Sequence, residues 1–192
     1  LSSSLGKIII LAAPSGGGKS TMAKKLLDDF DTLKFSVSAT TRKPRSGEID
    51  GKDYYFLTKE TFEDRVQNQE FLEWEEFYNG TMYGTIKAHV ESELEKGYFV
   101  MLDVDILGAL NVKKIYGDDA LTIFIKPPTM DILEQRLRDR GTESEESLSV
   151  RLERAEKEIT YADKFDLLVT NDKIEAAYSE INEAVRKFIS NQ

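Results

Sequence analysis

Ile8-Ile9-Ile10-Leu11-Ala12-Ala13-Pro14-Ser15-Gly16-Gly17-Gly18-Lys19-Ser20-Thr21 runs directly into Met22-Ala23-Lys24-Lys25-Leu26-Leu27. The opening apolar run reads as a buried strand and the closing run as a helix. Between them lies a glycine loop ending in Gly-Lys-Ser, the layout of a P-loop. The chemistry follows from the residue types. Glycines let the backbone curl so that successive N–H groups point at phosphate oxygens. The helix N-terminus adds its positive end. Residues 13–21 are therefore the expected triphosphate cradle: Ala13, Pro14, Ser15, Gly16, Gly17, Gly18, Lys19, Ser20 and Thr21. Lys19 would reach the outer phosphates, and the Ser20 hydroxyl would hold Mg²⁺. Ala13 stands where the first glycine of this motif is usually written; its methyl fits if φ stays negative.

Working outward, strand and helix signals alternate. Strands are expected over 7–12, 99–103, 121–125 and 167–169, and helices over 20–29, 129–140, 145–161 and 174–189. The first three strands are near-continuous apolar runs, as expected when helices cover both faces of a mainly parallel sheet. In the last helix, Ile174, Ala177, Tyr178, Ile181, Val185 and Phe188 form an apolar stripe, with Asp172 read as its N-cap. Residues 35–86 differ in texture. Aromatic residues, glycine and threonine dominate, with short β-like pieces near 53–57 and 71–78 and a helix near 59–68. This reads as an inserted β-rich subdomain. The polar segment 140–147 lies between two helix signals and reads as a lid.

Composition sets bounds. The 192 residues suit one α/β domain and include no cysteine, which excludes disulfides and thiolate metal sites. The expected location is cytoplasmic. No stretch is long enough to span a membrane, and Leu1-Ser2-Ser3-Ser4 lacks the features of a signal peptide. A net charge of −9 argues against nucleic-acid binding, so any anion site must concentrate its positive charge locally. No apolar face marks a subunit interface, and no oligomeric state is assigned.

The local positive charge lies in Thr41-Arg42-Lys43-Pro44-Arg45, followed by Gly47-Glu48 and Tyr54. Alone, this is a solvated basic turn. Beside a P-loop in an acidic chain, it reads as a second phosphate clamp, because each guanidinium offers a fork of donors. Asp103 and Asp105 alternate on one side at the carboxyl end of a buried strand, where ligands sit in open α/β sheets. Asp105 also suits an N-cap for a helix over 106–116. Arg136 and Arg140 lie one helical turn apart, and Arg151 opens the next helix. They read either as solvated helix residues or as closing charges. Glu73 alone reads as a surface carboxylate among Glu70, Glu75 and Glu76, and Asn171 alone as a turn residue. His89 reads as a surface residue and Trp74 as core packing.

Along almost its whole length the chain resembles the guanylate kinases. The resemblance rests on Ser38, Thr41-Arg42-x-Pro-Arg45-x-Gly-Glu48 through Asp53-Tyr54, Glu70-Phe-Leu-Glu73-Trp74, Tyr83-Gly84-Thr85, Leu102-Asp103-Val104-Asp105, Arg136-x-x-x-Arg140-Gly141 and Val169-Thr170-Asn171-Asp172. It implies a three-layer P-loop NTPase fold with a mainly parallel sheet in a single domain over 5–190. The core would comprise 5–34, 98–128 and 162–190, with a GMP-binding subdomain near 35–86 and a helical lid near 136–160. The implied reaction is transfer of the ATP γ-phosphoryl group to GMP, and also to dGMP, with Mg²⁺. Arg42, Arg45, Tyr54 and Tyr83 would hold the GMP phosphate. Glu73, Ser38, Thr85 and Asp105 would surround the guanine. Lys19, Arg42, Arg136, Arg140 and Arg151 would act on the transferring group, Asp103 would orient Mg²⁺ through water, and Asn171 would meet the ATP adenine. The same family resemblance admits an alternative, a catalytically silent scaffold binding phosphopeptides; retention of Gly16, Gly18, Lys19 and Ser20 argues against it.

Overall fold

Strand β1 (Ile8–Ala12) is buried at every position, so both of its faces must be covered. Its side chains alternate between two cores. Ile8, Ile10 and Ala12 join one apolar cluster, while Ile9 and Leu11 join another. The structure, a computed structural model, describes residues 5–77, 80–139 and 145–190.

After β1 the chain forms α1 (Lys19–Asp29) and the short strand β2 (Leu33–Phe35). It then enters a second sheet through β3 (Ala39–Thr40), β4 (Tyr55–Phe56), α2 (Lys59–Gln67), β5 (Phe71–Glu76) and β6 (Met82–Ile86). It returns by α3 (Lys87–Glu95), β7 (Phe99–Asp103), α4 (Ile106–Tyr116) and β8 (Ala120–Lys126). The remainder is α5 (Met130–Asp139), α6 (Glu145–Ile159), β9 (Leu167–Thr170) and α7 (Ile174–Ser190).

The first sheet has the order β2-β7-β1-β8-β9, and every pairing in it is parallel. Val90 and Leu94 of α3 and Ile106, Ala109 and Val112 of α4 cover one face. Met22 and Leu26 of α1 and Ala177, Ile181 and Val185 of α7 cover the other. This is the expected three-layer α/β class. The second sheet, β4-β3-β6-β5, is mixed and has its own small core of Ala39, Phe62, Met82 and Ile86.

Register decides the chemistry. Leu11 of β1 pairs with Asp103 of β7, so the P-loop and Asp103 emerge side by side at the carboxyl ends of adjacent strands. In β5 a bulge between Phe71 and Glu73 shifts the pairing with β6. Without it, Phe71 and Glu73 would share a face. With it, Phe71 stacks on Phe62 in the small core while Glu73 turns to the opposite side.

Several elements depart from expectation. β2, β3, β6 and α3 were not foreseen. β2 and β3 are only three and two residues long, and α3 buries only Val90 and Leu94, so none carries a periodic signal. The segment foreseen as one β-piece over 71–78 ends at Glu76, and its partner strand is Met82–Ile86. Trp74 is 45 % exposed rather than core, because it lies at the rim of the small sheet. The first helical acceptor of α7 is the carbonyl of Lys173, one residue beyond Asp172. His89 is exposed, with its ring against Tyr55.

Candidate active site

Gly18 is the last residue before α1 and is left-handed, at φ 101°. A Cβ there would also strike the amide nitrogen of Asn171. The position therefore requires glycine twice over. No side chain caps α1, which leaves the N–H groups of its first turn to face a ligand. Gln69 is the only non-glycine residue with positive φ among the described residues, so Ala13 stands in the loop without left-handed strain.

The loop is braced from behind. Asn171, 3 % exposed at the end of β9, donates from Nδ2 to Gly17 O at 2.9 Å. Arg136 Nη2 in turn donates to Asn171 O at 2.8 Å. In front, Lys19 is ion-paired with Asp103, and Arg151 Nη1 donates to Ser15 Oγ at 2.7 Å.

The P-loop forms one wall of a cleft of about 910 Å³. Ala13, Pro14, Ser15, Gly16, Gly18, Lys19, Ser20 and Thr21 line that wall, and Asp103, Asp105 and Arg151 border it. Also lining the cleft are Glu73 and Tyr83 of the second sheet, with Ser38 and Tyr54 just before its strands β3 and β4. Gly17, Arg42, Arg45, Thr85, Arg136 and Asn171 are not on the cleft surface, and Arg140 lies outside the described residues.

Glu73 is the most perturbed acid of the cleft. Burial pushes its carboxyl up to about 7, against the opposing pull of a 2.5 Å hydrogen bond donated by Thr85 Oγ1; nearby Asp105 adds to the rise. Thr85 itself is 1 % exposed and acts through Glu73. Asp105 Oδ1 accepts the Gly108 N–H at 2.7 Å, so it caps α4 while also bordering the cleft. A Cβ at Gly108 would lie 2.8 Å from Asp105 Oδ1 and 2.9 Å from Glu73 Oε2. Gly108 thus makes the space in which the two acids converge. Sequence reasoning missed it, since nothing in a helical glycine announces a neighbour 35 residues away.

The second clamp is assembled but engaged. Arg42 makes a bidentate pair with Glu48, Nη1–Oε2 2.7 Å and Nη2–Oε1 2.8 Å, and Glu48 Oε2 also accepts the Arg45 N–H at 2.7 Å. These contacts hold the Glu48 carboxyl down at about 2. Arg42 lies 4.9 Å over the Tyr54 ring, which is edge-on to Tyr83 at 6.0 Å. Burial raises the Tyr54 hydroxyl, which keeps it a donor. Glu75, Phe77 and Arg154 also line the cleft and were not foreseen. Glu75 was discoverable from its two-residue spacing to Glu73 on one strand face.

A parallel sheet with a glycine loop opening α1 and an acid at the end of the adjacent strand defines a P-loop nucleotide-binding protein. The guanylate kinase family pattern matches residues 5–188. The chain belongs to the guanylate kinase family. It is 47 % identical over 187 residues to a guanylate kinase of Bacteroides thetaiotaomicron, covering 97 % of this chain and 92 % of that one. It is 48 % identical over 184 residues to one of Chlorobium chlorochromatii, covering 96 % of each. Its fold is similar to the crystal structure of guanylate kinase from Anaplasma phagocytophilum, with TM-score 0.75 and 34 % identity over 96 % of this chain and 87 % of that one. No helix among the described residues is long and apolar enough to cross a membrane.

Proposed function

We propose that this guanylate kinase binds ATP on the P-loop wall and GMP on the second-sheet wall, and moves the γ-phosphoryl group between them. A new P–O bond forms to a GMP phosphate oxygen. The bond from the γ-phosphorus to the β–γ bridging oxygen breaks, leaving GDP and ADP. No side chain need act as base, because a phosphate monoester already carries close to two negative charges at neutral pH. The observation that carries the reading is Glu73, a half-buried, desolvated carboxylate that lines the same cleft as the P-loop. Guanine offers N1–H and the 2-amino group as adjacent donors. Adenine offers a bare acceptor at N1 and would leave the acid unpaired.

The residues take the following parts. Lys19 exchanges Asp103 for the outer phosphates of ATP. Arg42 and Arg45, with the hydroxyls of Tyr54 and Tyr83, hold the GMP phosphate. Ser38 and Asp105 flank the base, and Thr85 orients Glu73. Arg136, Arg140 and Arg151 gather on the transferring group as the lid closes and water leaves. Asn171, where it stands, keeps the P-loop in shape. Ser20 and Asp103 fit Mg²⁺: both offer oxygen donors to the same cleft, and the ion characteristically takes one or two protein oxygens with substrate phosphates. When bound, it supplies charge neutralisation between the phosphates. As the family resemblance implies, dGMP serves as a second acceptor. The site of action is cytoplasmic, where its nucleotides are. No observation favours a silent scaffold.

The test is ADP release with ATP and Mg²⁺, comparing GMP, AMP, CMP and UMP as acceptors. Turnover with GMP alone is expected. Equal turnover with AMP would overturn the role of Glu73, and no turnover with any acceptor would overturn the kinase reading.

A further inference from the structure

Helix α6 presents two arginines to the cleft, and they reach opposite walls. Arg151 donates to Ser15 in the P-loop at 2.7 Å. Arg154 lies three residues on and so on the same helix face. Its Nη2 is 3.9 Å from Glu75 Oε1, and its guanidinium is 5.4 Å over the ring of Phe77. Glu75 is in β5, two residues past Glu73 on the same strand face. Arg154 is also held from its own helix, since its Nε donates to Glu158 Oε1 at 2.7 Å. It therefore extends from α6 toward the base-side strand from a position set within its own helix.

Two further observations give the contact a direction. The second oxygen of Glu75, Oε2, is buried without a hydrogen-bond partner among the described residues. Burial and Asp105 push the Glu75 carboxyl up, and Arg154 pulls it down. A cation brought closer would relieve that strain. The separation of 3.9 Å is too long for a hydrogen bond, and a second cavity of about 250 Å³ opens beside the contact, between α4, α6 and the end of β5. The cavity leaves the pair room to shorten.

We infer that Arg154 is a positioning residue for phosphoryl transfer: pairing with Glu75, it docks strand β5 on α6, and α6 carries Arg151 onto the P-loop. The inference rests on the reading that Glu73 binds the acceptor base. Occupancy of the base site draws β5 inward, Arg154 follows Glu75, and Arg151 is set over the donor phosphates. Acceptor binding and the donor-side charge are joined through one helix. The pair is about one-third exposed on each side and so contributes little to folding, which makes it removable.

The experiment is steady-state kinetics with ATP and GMP on Arg154→Gln, Glu75→Gln and the double variant, beside Arg154→Lys. Each single change should lower kcat about tenfold, with KM for ATP within about twofold of the parent. The double variant should be no slower than the slower single, because both changes break one contact. Arg154→Lys should recover most of kcat. If Glu75→Gln does not fold, Glu75→Asp replaces it and must show the same selective loss of kcat. Parent-like kcat in the single variants would overturn the inference, as would a double loss equal to the product of the two. A parent enzyme inert toward GMP would instead overturn the assignment of the base site.

Discussion

The P-loop wall of the cleft is held by backbone and the base wall by side chains. On the first, Gly16 and Gly18 take left-handed conformations and Asn171 pins Gly17 from beneath, all within a segment of nine residues and one brace. On the second, Glu73 depends on a bulge in β5, a hydroxyl from β6, the cap of α4 and the space left by Gly108. A backbone cradle recognises any polyphosphate and confers little choice between bases. A set of side chains drawn from three elements confers choice, and each of them is a point of failure. Variants on the two walls should therefore fail in opposite ways.

The largest effect belongs to the P-loop. Lys19→Ala removes the charge that meets the transferring group, and kcat should fall by about 10³ or more. Its pair with Asp103 is part-exposed, so folding should lose no more than ~1 kcal/mol. GMP binding, measured directly by calorimetry, should be nearly unchanged. A variant with parent-like kcat would erase the distinction between the walls.

The mirror change is Glu73→Ala. It should lower kcat/KM for GMP by about 10³ and leave ATP affinity within about twofold, since the donors of guanine lose their acceptor. Relief from a desolvated carboxylate should raise the melting temperature of the empty protein rather than lower it. Equal damage to ATP and GMP binding would show that Glu73 supports the fold and not the base.

The same contrast explains what could be read from the chain. The P-loop is local: strand, loop and helix adjoin in sequence, and one motif predicts them together. β1, β7 and β8 are near-continuous apolar runs and were legible for that reason. β2, β3 and α3 were not, because two or three residues, or a helix with two buried positions, leave no period to detect. Base-side residues such as Ser38, Glu73 and Thr85 were named only through family resemblance. Their pattern of spacings carries no chemistry until the bulge turns Glu73 away from Phe71. Gly108 and Arg154 act only through distant partners, Glu73 and Glu75, so no local pattern could reveal them.

Gly108→Ala sharpens the comparison from the base side. The added methyl would fall within 3 Å of carboxylate oxygens of both Asp105 and Glu73, and one of them must move. The helix itself gains from alanine, by up to ~1 kcal/mol. The expected signature is thus a stable protein whose KM for GMP rises about thirtyfold, by about 2 kcal/mol, while kcat at saturation and KM for ATP stay near parent values. A loss of kcat with unchanged KM would place the effect on α4 and not on the base.

The smallest effect is set by protons. Glu73 titrates at about 7 in the folded protein against 4.5 as a free side chain, so the empty native state holds its proton more tightly than the unfolded chain does. The stabilisation this confers is complete below about 4.5 and is lost as pH rises through about 7. Guanine binding has the opposite sign, because two donors require the carboxylate. Affinity should weaken by about tenfold per pH unit as pH falls below 7. The phosphate of GMP has its own ionisation at about 6, which would confuse the measurement. Guanosine, used as a competitor of GMP, lacks that group and reports the base site alone. Its inhibition constant should rise steadily from pH 7 to pH 5.5, while the affinity for ATP, set on the backbone wall, should show no matching break near 7. A flat guanosine profile would mean that Glu73 is ionised throughout, and that the hydrogen bonds from Thr85 offset the neighbouring acid and the surrounding burial.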